Sequence, residues 1–144
     1  MGCISISHCQ DAFVFAWHKE KIGIDIERRD RKFNYEGLAK KYLIENHNFD
    51  NSQKIEREYI LKRWGEIEAA IKCDHGKLSR DLRKWQYLSD GNYLIHKTKK
   101  IKLKTNHFYF FDWSIAIALR EVKNEHFTNI VCNNNKNSYY IINK

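Results

Sequence analysis

The strongest constraint in this sequence is a strict alternation of apolar and polar residues between Ile22 and Glu27. The segment reads Ile22-Gly23-Ile24-Asp25-Ile26-Glu27. A period of two is that of a β-strand, whose successive side chains point to opposite faces. The isoleucines therefore face one side, and the carboxylates of Asp25 and Glu27 lie next to each other on the other side. Neighbouring carboxylates repel unless a cation lies between them, so the pattern predicts either a solvated acidic face or a site for a hard divalent cation.

Two more strand-forming runs precede this one, over residues 4–8 and 12–18. Short polar clusters separate the three runs, as turns do. The first 27 residues therefore predict an antiparallel meander.

The longest helical pattern covers residues 54–73, where apolar side chains recur at helical spacing without an internal proline. A shorter amphipathic helix is expected over residues 35–44, short strands over 87–119 and 139–142, and a loop over 132–137. This order of elements predicts an α+β fold in which a mostly antiparallel sheet packs against a long helix.

Composition limits the class of protein and its partners. The chain has 144 residues, of which 42% are hydrophobic and 31% charged, which indicates one folded domain over residues 1–144. No apolar run approaches the roughly 20 residues that cross a bilayer, and the first residues lack a leader pattern, so we expect a cytoplasmic protein with no membrane partner. The four cysteines form no C-x-x-C pair and are expected to be free thiols. The net charge of +8 favours anionic partners.

The main predicted helix places Trp64, Glu68 and Lys72 in one row, four residues apart. Taken alone, a Glu–Lys pair at this spacing is an ordinary surface feature worth about 0.2–0.5 kcal/mol. His8, at the end of the first strand, is by itself more often structural than functional. These residues become informative through their order along the chain.

Three segments in this order resemble the 4′-phosphopantetheinyl transferase family. They are Ile6-Ser7-His8, the strand from Ile22 to Glu27, and Trp64-Gly65-Glu66-Ile67-Glu68-Ala69-Ala70-Ile71-Lys72. In that family an (I/V)-S-H segment precedes a G-x-D-x-E strand, and a W-x-x-K-E-(A/S)-x-x-K helix follows. The resemblance is to the C-terminal half of the longer, two-half members and covers nearly the whole chain. Ile67 stands where the family has a lysine.

The resemblance implies a magnesium-dependent transfer of the phosphopantetheine arm of coenzyme A to a serine of an acyl, peptidyl or aryl carrier protein. By position, Asp25 and Glu68 would hold Mg²⁺ against the pyrophosphate of coenzyme A, with Glu27 as the third carboxylate. Glu68 would also take the proton of the attacking serine, and Lys72 would neutralise charge on the departing phosphate. We expect these three carboxylates to converge on one side of the sheet.

The resemblance also implies the residues that bind coenzyme A. His8 would contact a phosphate of the nucleotide, and Ser7 and Lys72 are the other candidates. The expected partner is an acidic carrier protein, for which the positive net charge is suitable.

This chain begins where the N-terminal half of the longer members ends. Since short members of the family form their sites between identical subunits, we expect a homo-oligomer. Basic residues of one subunit would then reach the nucleotide of its neighbour; the candidates are Arg28, Arg29, Arg31 and Lys32. The alternative is a catalytically inactive, reduced relative that acts as a binding protein.

A different class, nucleic-acid binding, is the less favoured alternative. It depends on the basic run from Lys97 to Lys104 and on the nearby aromatic residues Phe108, Tyr109 and Phe110. Basic strands with adjacent aromatic rings can follow a single nucleic-acid strand. Alternating lysines are also typical of the solvated face of an edge strand.

Overall fold

The computed structural model describes residues 2–43, 56–89, 91–120, 129–134 and 139–143. The strands are β1 Cys3–Cys9, β2 Ala12–His18, β3 Ile22–Arg28, β4 Trp85–Tyr87, β5 Tyr93–His96, β6 Lys102–Phe110, β7 Trp113–Arg120, β8 Asn129–Asn134 and β9 Tyr139–Asn143. The helices are α1 Tyr35–Leu38, α2 Arg57–Cys73 and α3 Leu78–Asp81.

The strands form two sheets, with the orders β1-β2-β8-β9 and β3-β7-β6-β5-β4. All of their pairings are antiparallel, which confirms the α+β class with mostly antiparallel strands. The predicted meander is wrong in its third strand, because β3 does not pair with β2. β2 pairs with β8, and β3 pairs with β7 at one edge of the second sheet.

Burial explains why β3 leaves the first sheet. Its residues from Ile22 to Ile26 are buried on both faces, so the strand needs a covering layer on each side. Ile22, Ile24 and Ile26 belong to the core between the two sheets. The opposite face of the second sheet packs on α2, around a second core that includes Ile67 and Ile71. The three layers are therefore the first sheet, the second sheet and α2.

Two serines join the free edges of the two sheets. Ser5 Oγ accepts a hydrogen bond from the backbone N–H of Ile24 at 3.0 Å, and Ser7 Oγ accepts one from Ile26 at 3.4 Å. An unpaired edge of a buried strand would leave amide groups without partners, which is costly. The alternating serines of β1 satisfy these groups of β3 and fix the position of β1 beside it.

Two glycines allow α2 to approach β3 closely. A Cβ at Gly23 would lie 1.9 Å from the carbonyl oxygen of Ala69. On the helix, a Cβ at Gly65 would lie 3.3 Å from Ala116 Cβ and 3.7 Å from Asp25 Oδ2. The helix and the acidic strand are therefore in contact because both surfaces lack a side chain at these points.

Several predicted boundaries differ from the structure. α2 has 17 residues, so it is shorter than the predicted long helix; residues 54–55 lie outside the described residues. The expected helix over 35–44 is one α-turn, α1, continued by a π-helical turn over Ala39–Leu43. β8 includes residues 132–134, so the loop prediction is wrong there, and residues 135–138 lie outside the described residues. Among the described helices, none is long and apolar enough to cross a bilayer.

Candidate functional site

Asp25 is the centre of a hydrogen-bonded cluster that β1, β3 and α2 form together. Its side chain is 4% exposed. Lys72 Nζ donates to Asp25 Oδ1 at 2.8 Å, and Ser7 Oγ donates to the same oxygen at 2.9 Å. Lys72 also donates to Ser7 Oγ at 2.8 Å and to the carbonyl of Ile24 at 3.2 Å. The ammonium thus compensates the charge of a buried carboxylate.

Glu68 and Glu27 extend this cluster with two further carboxyl groups. The pKa of Glu68 is raised to about 8, mainly by burial and then by the negative charges of Asp25 and Glu27, while the positive charge of Lys72 opposes the shift. Burial also raises the pKa of Glu27, although its bond with Arg31 lowers it. Such mutual effects require carboxylates that lie close together. Asp25 and Glu27 alternate onto the helix-facing side of β3, and Glu68 lies on α2 three residues after Gly65, the position that faces Asp25 Oδ2.

The chemistry of this acidic cluster suits a hard cation. Asp25 Oδ2 is buried and has no hydrogen-bond partner, which is costly for a carboxylate oxygen. Mg²⁺ commonly binds one or two carboxylates and completes its shell with phosphate oxygens and water. Among the described residues, no three or more His, Cys, Asp or Glu side chains already form a group that could hold a metal ion.

A cleft of about 920 Å³ lies next to the acidic cluster. Its lining includes His8, Asp11, Glu27, Arg28, Asp30, Arg31 and Lys32. Glu27 belongs to both the cleft and the cluster, where Arg31 donates a hydrogen bond to it. The volume is in the range of small-molecule and cofactor sites.

The charged groups of the cleft are largely paired with one another. Arg28 donates to Asp11 and binds both oxygens of Asp30, each at 2.7 Å. Lys32 is exposed to solvent. An incoming phosphate would find Lys32 accessible, and it would compete with the carboxylates for Arg28.

The basic side chains at the end of β3 and in the turn after it lie in two different environments. Arg28, Arg31 and Lys32 line the cleft of their own chain. Arg29 instead bonds Glu58 at 2.7 Å and lies 4.3 Å from the ring centroid of Tyr109. A nucleotide in the cleft could therefore meet three of the four basic candidates without a second subunit.

The (I/V)-S-H segment places its last two residues in different environments. His8 is exposed and lines the cleft, which is compatible with contact to a nucleotide phosphate. Ser7 is 6% exposed and belongs to the acidic cluster, where it bonds Asp25, Lys72 and the backbone of β3. Its observed contacts are thus with protein groups.

The basic and aromatic residues of β6 do not share one exposed surface. Lys102 and Lys104 are exposed on the face of β6 away from α2, whereas Tyr109 lies on the other face, because strand side chains alternate. Phe108 and Phe110 share the lysine face but pack against the core between the sheets. β6 also lies between β7 and β5, so the edge-strand interpretation of its lysines is wrong.

Sequence reasoning missed Ser5 and Gly65 as residues that position the cluster. Ser5 shares the inward face of β1 with Ser7, and the alternation in Ile4-Ser5-Ile6-Ser7 was the available signal. Gly65 lies within the helix motif beside Trp64, but only the approach of α2 to Asp25 reveals why a side chain is absent there.

A scan against protein-family models gives no match, and a search of curated proteins gives no significant match.

Proposed function

We propose that this chain is a 4′-phosphopantetheinyl transferase-like domain that transfers the phosphopantetheine group from coenzyme A to a serine of a carrier protein, with Mg²⁺. One observation carries the proposal. The Lys72 ammonium bonds the buried Asp25, its charge also acts on Glu68 and Glu27, and Glu27 lines a cleft that could hold a nucleotide. A predicted cytoplasmic location belongs to the same proposal.

In the proposed reaction, the serine oxygen of the carrier attacks the phosphorus atom that bears the pantetheine arm. The new P–O bond forms as the bond to the bridging oxygen breaks, and adenosine 3′,5′-bisphosphate leaves with that oxygen. Mg²⁺, when bound by Asp25, Glu68 and Glu27, supplies charge neutralisation at the pyrophosphate. Glu68 takes the serine proton, directly or through water.

Lys72 has a defined part in this proposal. Its ammonium now bonds Asp25, and a cation at the carboxylates would compete for that oxygen. Lys72 then exchanges Asp25 for a phosphate oxygen and stabilises the departing phosphate. Stabilisation of developing charge by fixed groups is the main requirement of this chemistry.

Coenzyme A binding is assigned to the cleft, with His8 and Lys32 at the nucleotide phosphates and Lys72 at the pyrophosphate. Arg28 and Arg31 can bind phosphate in place of their carboxylate partners, since a guanidinium group binds either anion in the same bidentate manner. Ser7 supports this site by holding Asp25 and Lys72 in place.

The predicted homo-oligomer remains part of the proposal. Large apolar side chains of the first sheet are exposed beside His8: Ile4 is 62% exposed, Ile6 61%, and Phe13 and Trp17 42% each. Cross-strand pairing joins Ile4 to Trp17 and His8 to Phe13, so these residues form one continuous patch. Exposed patches of this kind usually mark an interface. Light scattering at micromolar concentration tests the assembly, and a mass near 17.4 kDa together with tight coenzyme A binding would show that one chain suffices.

The activity is tested by incubating the protein with coenzyme A, Mg²⁺ and a panel of apo carrier proteins, followed by intact-mass measurement. The expected result is addition of one phosphopantetheine group, lost in Asp25→Asn and retained in Glu36→Gln, whose carboxylate is exposed on α1 away from the cleft lining. A folded wild-type protein that modifies no carrier contradicts the proposal. Coenzyme A binding without transfer would favour the inactive, reduced relative.

A further inference from the structure

The outer end of the second sheet leaves one of its faces uncovered. On the face away from α2, Phe108 and Phe110 pack against the core between the two sheets. Farther along β6 on the same face, Asn106, Lys104 and Lys102 are exposed. We call this uncovered surface the open face, and it consists of Gln86, Tyr93, Ile95, Lys102, Lys104 and Asn106.

The pairing of β4, β5 and β6 makes the open face continuous. Lys104 pairs with Tyr93. In the next row, Ile95 lies between Lys102 and Gln86. Side chains directly opposite each other on neighbouring strands have Cβ atoms about 5 Å apart. The alternate residues of β4 and β5 are buried on the other side of the sheet, so the open face is a supported surface that is three strands wide.

Most of the net charge of the chain lies in the segment that forms the open face. Residues 82–107 contain seven lysines and arginines against one acidic residue, so they carry +6 of the chain's net +8. Lys84 and Lys99 each bond an aspartate. Among the described residues, no carboxylate forms a salt bridge with Lys102 or Lys104. These two ammonium groups are therefore open to an anionic partner.

The open face also contains an aromatic ring beside one of its lysines. Lys102 Nζ lies 3.7 Å from the ring centroid of Tyr93, where the negative face of the ring attracts the cation. A phosphate that binds Lys102 would draw the ammonium away and uncover the ring. An uncovered ring can stack against a base of any identity, because every base has a π-face. The exposed amide side chains of Gln86 and Asn106 add hydrogen-bond donors and acceptors beside it.

We propose that the open face binds single-stranded nucleic acid, with phosphates at Lys102 and Lys104 and a base on Tyr93. The two lysines lie two residues apart on one strand, about 7 Å, which equals two nucleotides at a rise of about 3.4 Å each. A basic track with an aromatic platform is typical of proteins that bind single strands. Since the acidic cluster lies on the opposite side of the same sheet, this assignment does not rest on the proposed function.

The test measures the anisotropy of fluorescently labelled DNA and RNA oligonucleotides of mixed sequence at several salt concentrations. Each phosphate contact to a single strand contributes about 0.7 to the slope of log K against log salt. Lys104→Gln should therefore lower the slope by about 0.7 and raise Kd about fivefold at 0.1 M salt. Lys40→Gln is the matched control, because it removes the same charge from an exposed lysine of the turn after α1; its Kd should stay within twofold of wild type.

Tyr93 separates base stacking from simple attraction between charges. Tyr93→Leu should raise Kd severalfold without a change in the salt slope, because it removes the ring and no charge. Tyr93→Phe keeps the ring and should bind like wild type, and Lys104→Arg keeps the charge and should do the same. Thermal unfolding of each variant shows that a loss of binding is not a loss of folding.

Four results would overturn the assignment of the open face. They are no binding of either oligonucleotide at 0.1 M salt, equal weakening by Lys104→Gln and Lys40→Gln, unchanged binding by Tyr93→Leu, and tighter binding of a duplex than of its separate strands. Vesicles that contain phosphatidylserine provide a further comparison. Binding of these vesicles without binding of the oligonucleotides would assign the surface to anionic lipid and would also overturn the proposal.

Discussion

Replacing Glu68 by Gln should remove a pH dependence of stability that the acidic cluster imposes on the protein. The pKa of Glu68 is raised from 4.5 to about 8 in the folded state, so the folded chain binds more protons than the unfolded chain between these values. Stability therefore falls as pH rises through this window. The favourable contribution is complete below about pH 4.5 and is lost as pH passes about 8.

The size of the effect follows from the shift. One pKa unit corresponds to about 1.4 kcal/mol, so ionising Glu68 in the folded, metal-free protein costs roughly 3–5 kcal/mol. Gln resembles the protonated acid and cannot ionise. Glu68→Gln should therefore match wild type near pH 5 and exceed its free energy of unfolding by roughly 3–5 kcal/mol near pH 9. With a typical dependence on urea, the unfolding midpoint would differ by about 2 M.

Urea unfolding at several pH values between 5 and 9, in EDTA, measures this difference. Glu36→Gln is the control, since Glu36 is exposed on α1. This substitution should change the free energy of unfolding by the same amount at every pH. Parallel pH profiles for wild type and Glu68→Gln would refute the argument that burial and neighbouring carboxylates hold a proton on Glu68. Added Mg²⁺ should stabilise wild type most at high pH, because the cation binds the ionised cluster, and it should stabilise Glu68→Gln much less.

Three further predictions concern the cluster and its support. Gly23→Ala should lower the free energy of unfolding by about 3 kcal/mol or more, because the new Cβ would meet the carbonyl oxygen of Ala69 at 1.9 Å; a thermal midpoint equal to that of wild type would contradict the packing of α2 on β3. Ser5→Ala should cost about 1–3 kcal/mol in urea unfolding, since it leaves the buried Ile24 N–H without its partner, and a neutral result would show that another group satisfies this amide. Burial lowers the pKa of His107 to about 4, so its NMR ring resonances should not shift between pH 8 and pH 5.5; a titration near pH 6.5 would be inconsistent with its half-buried position.

Local patterns in the sequence determined most of the strands and the placement of the carboxylates on β3. Alternation from Ile22 to Glu27 predicts which side chains share a face, because the period of a strand depends only on the backbone. The same reasoning gave β2 its bounds at residues 12–18, and helical spacing gave the C-terminal end of α2 at Cys73. The order of the three family-like segments added a chemical hypothesis that these periods alone do not contain.

Tertiary structure decided which strands pair and what the acidic residues contact. The local sequence predicts that β2 pairs with β3, the next strand along the chain. In the structure β2 pairs with β8, through residues more than 100 positions apart such as Ala16 and Ile130. Likewise, Ser7 and Lys72 meet Asp25 from β1 and α2 across 18 and 47 residues of chain. The raised pKa of Glu68 is a consequence of that convergence, because burial and neighbouring charge exist only once the layers have packed together.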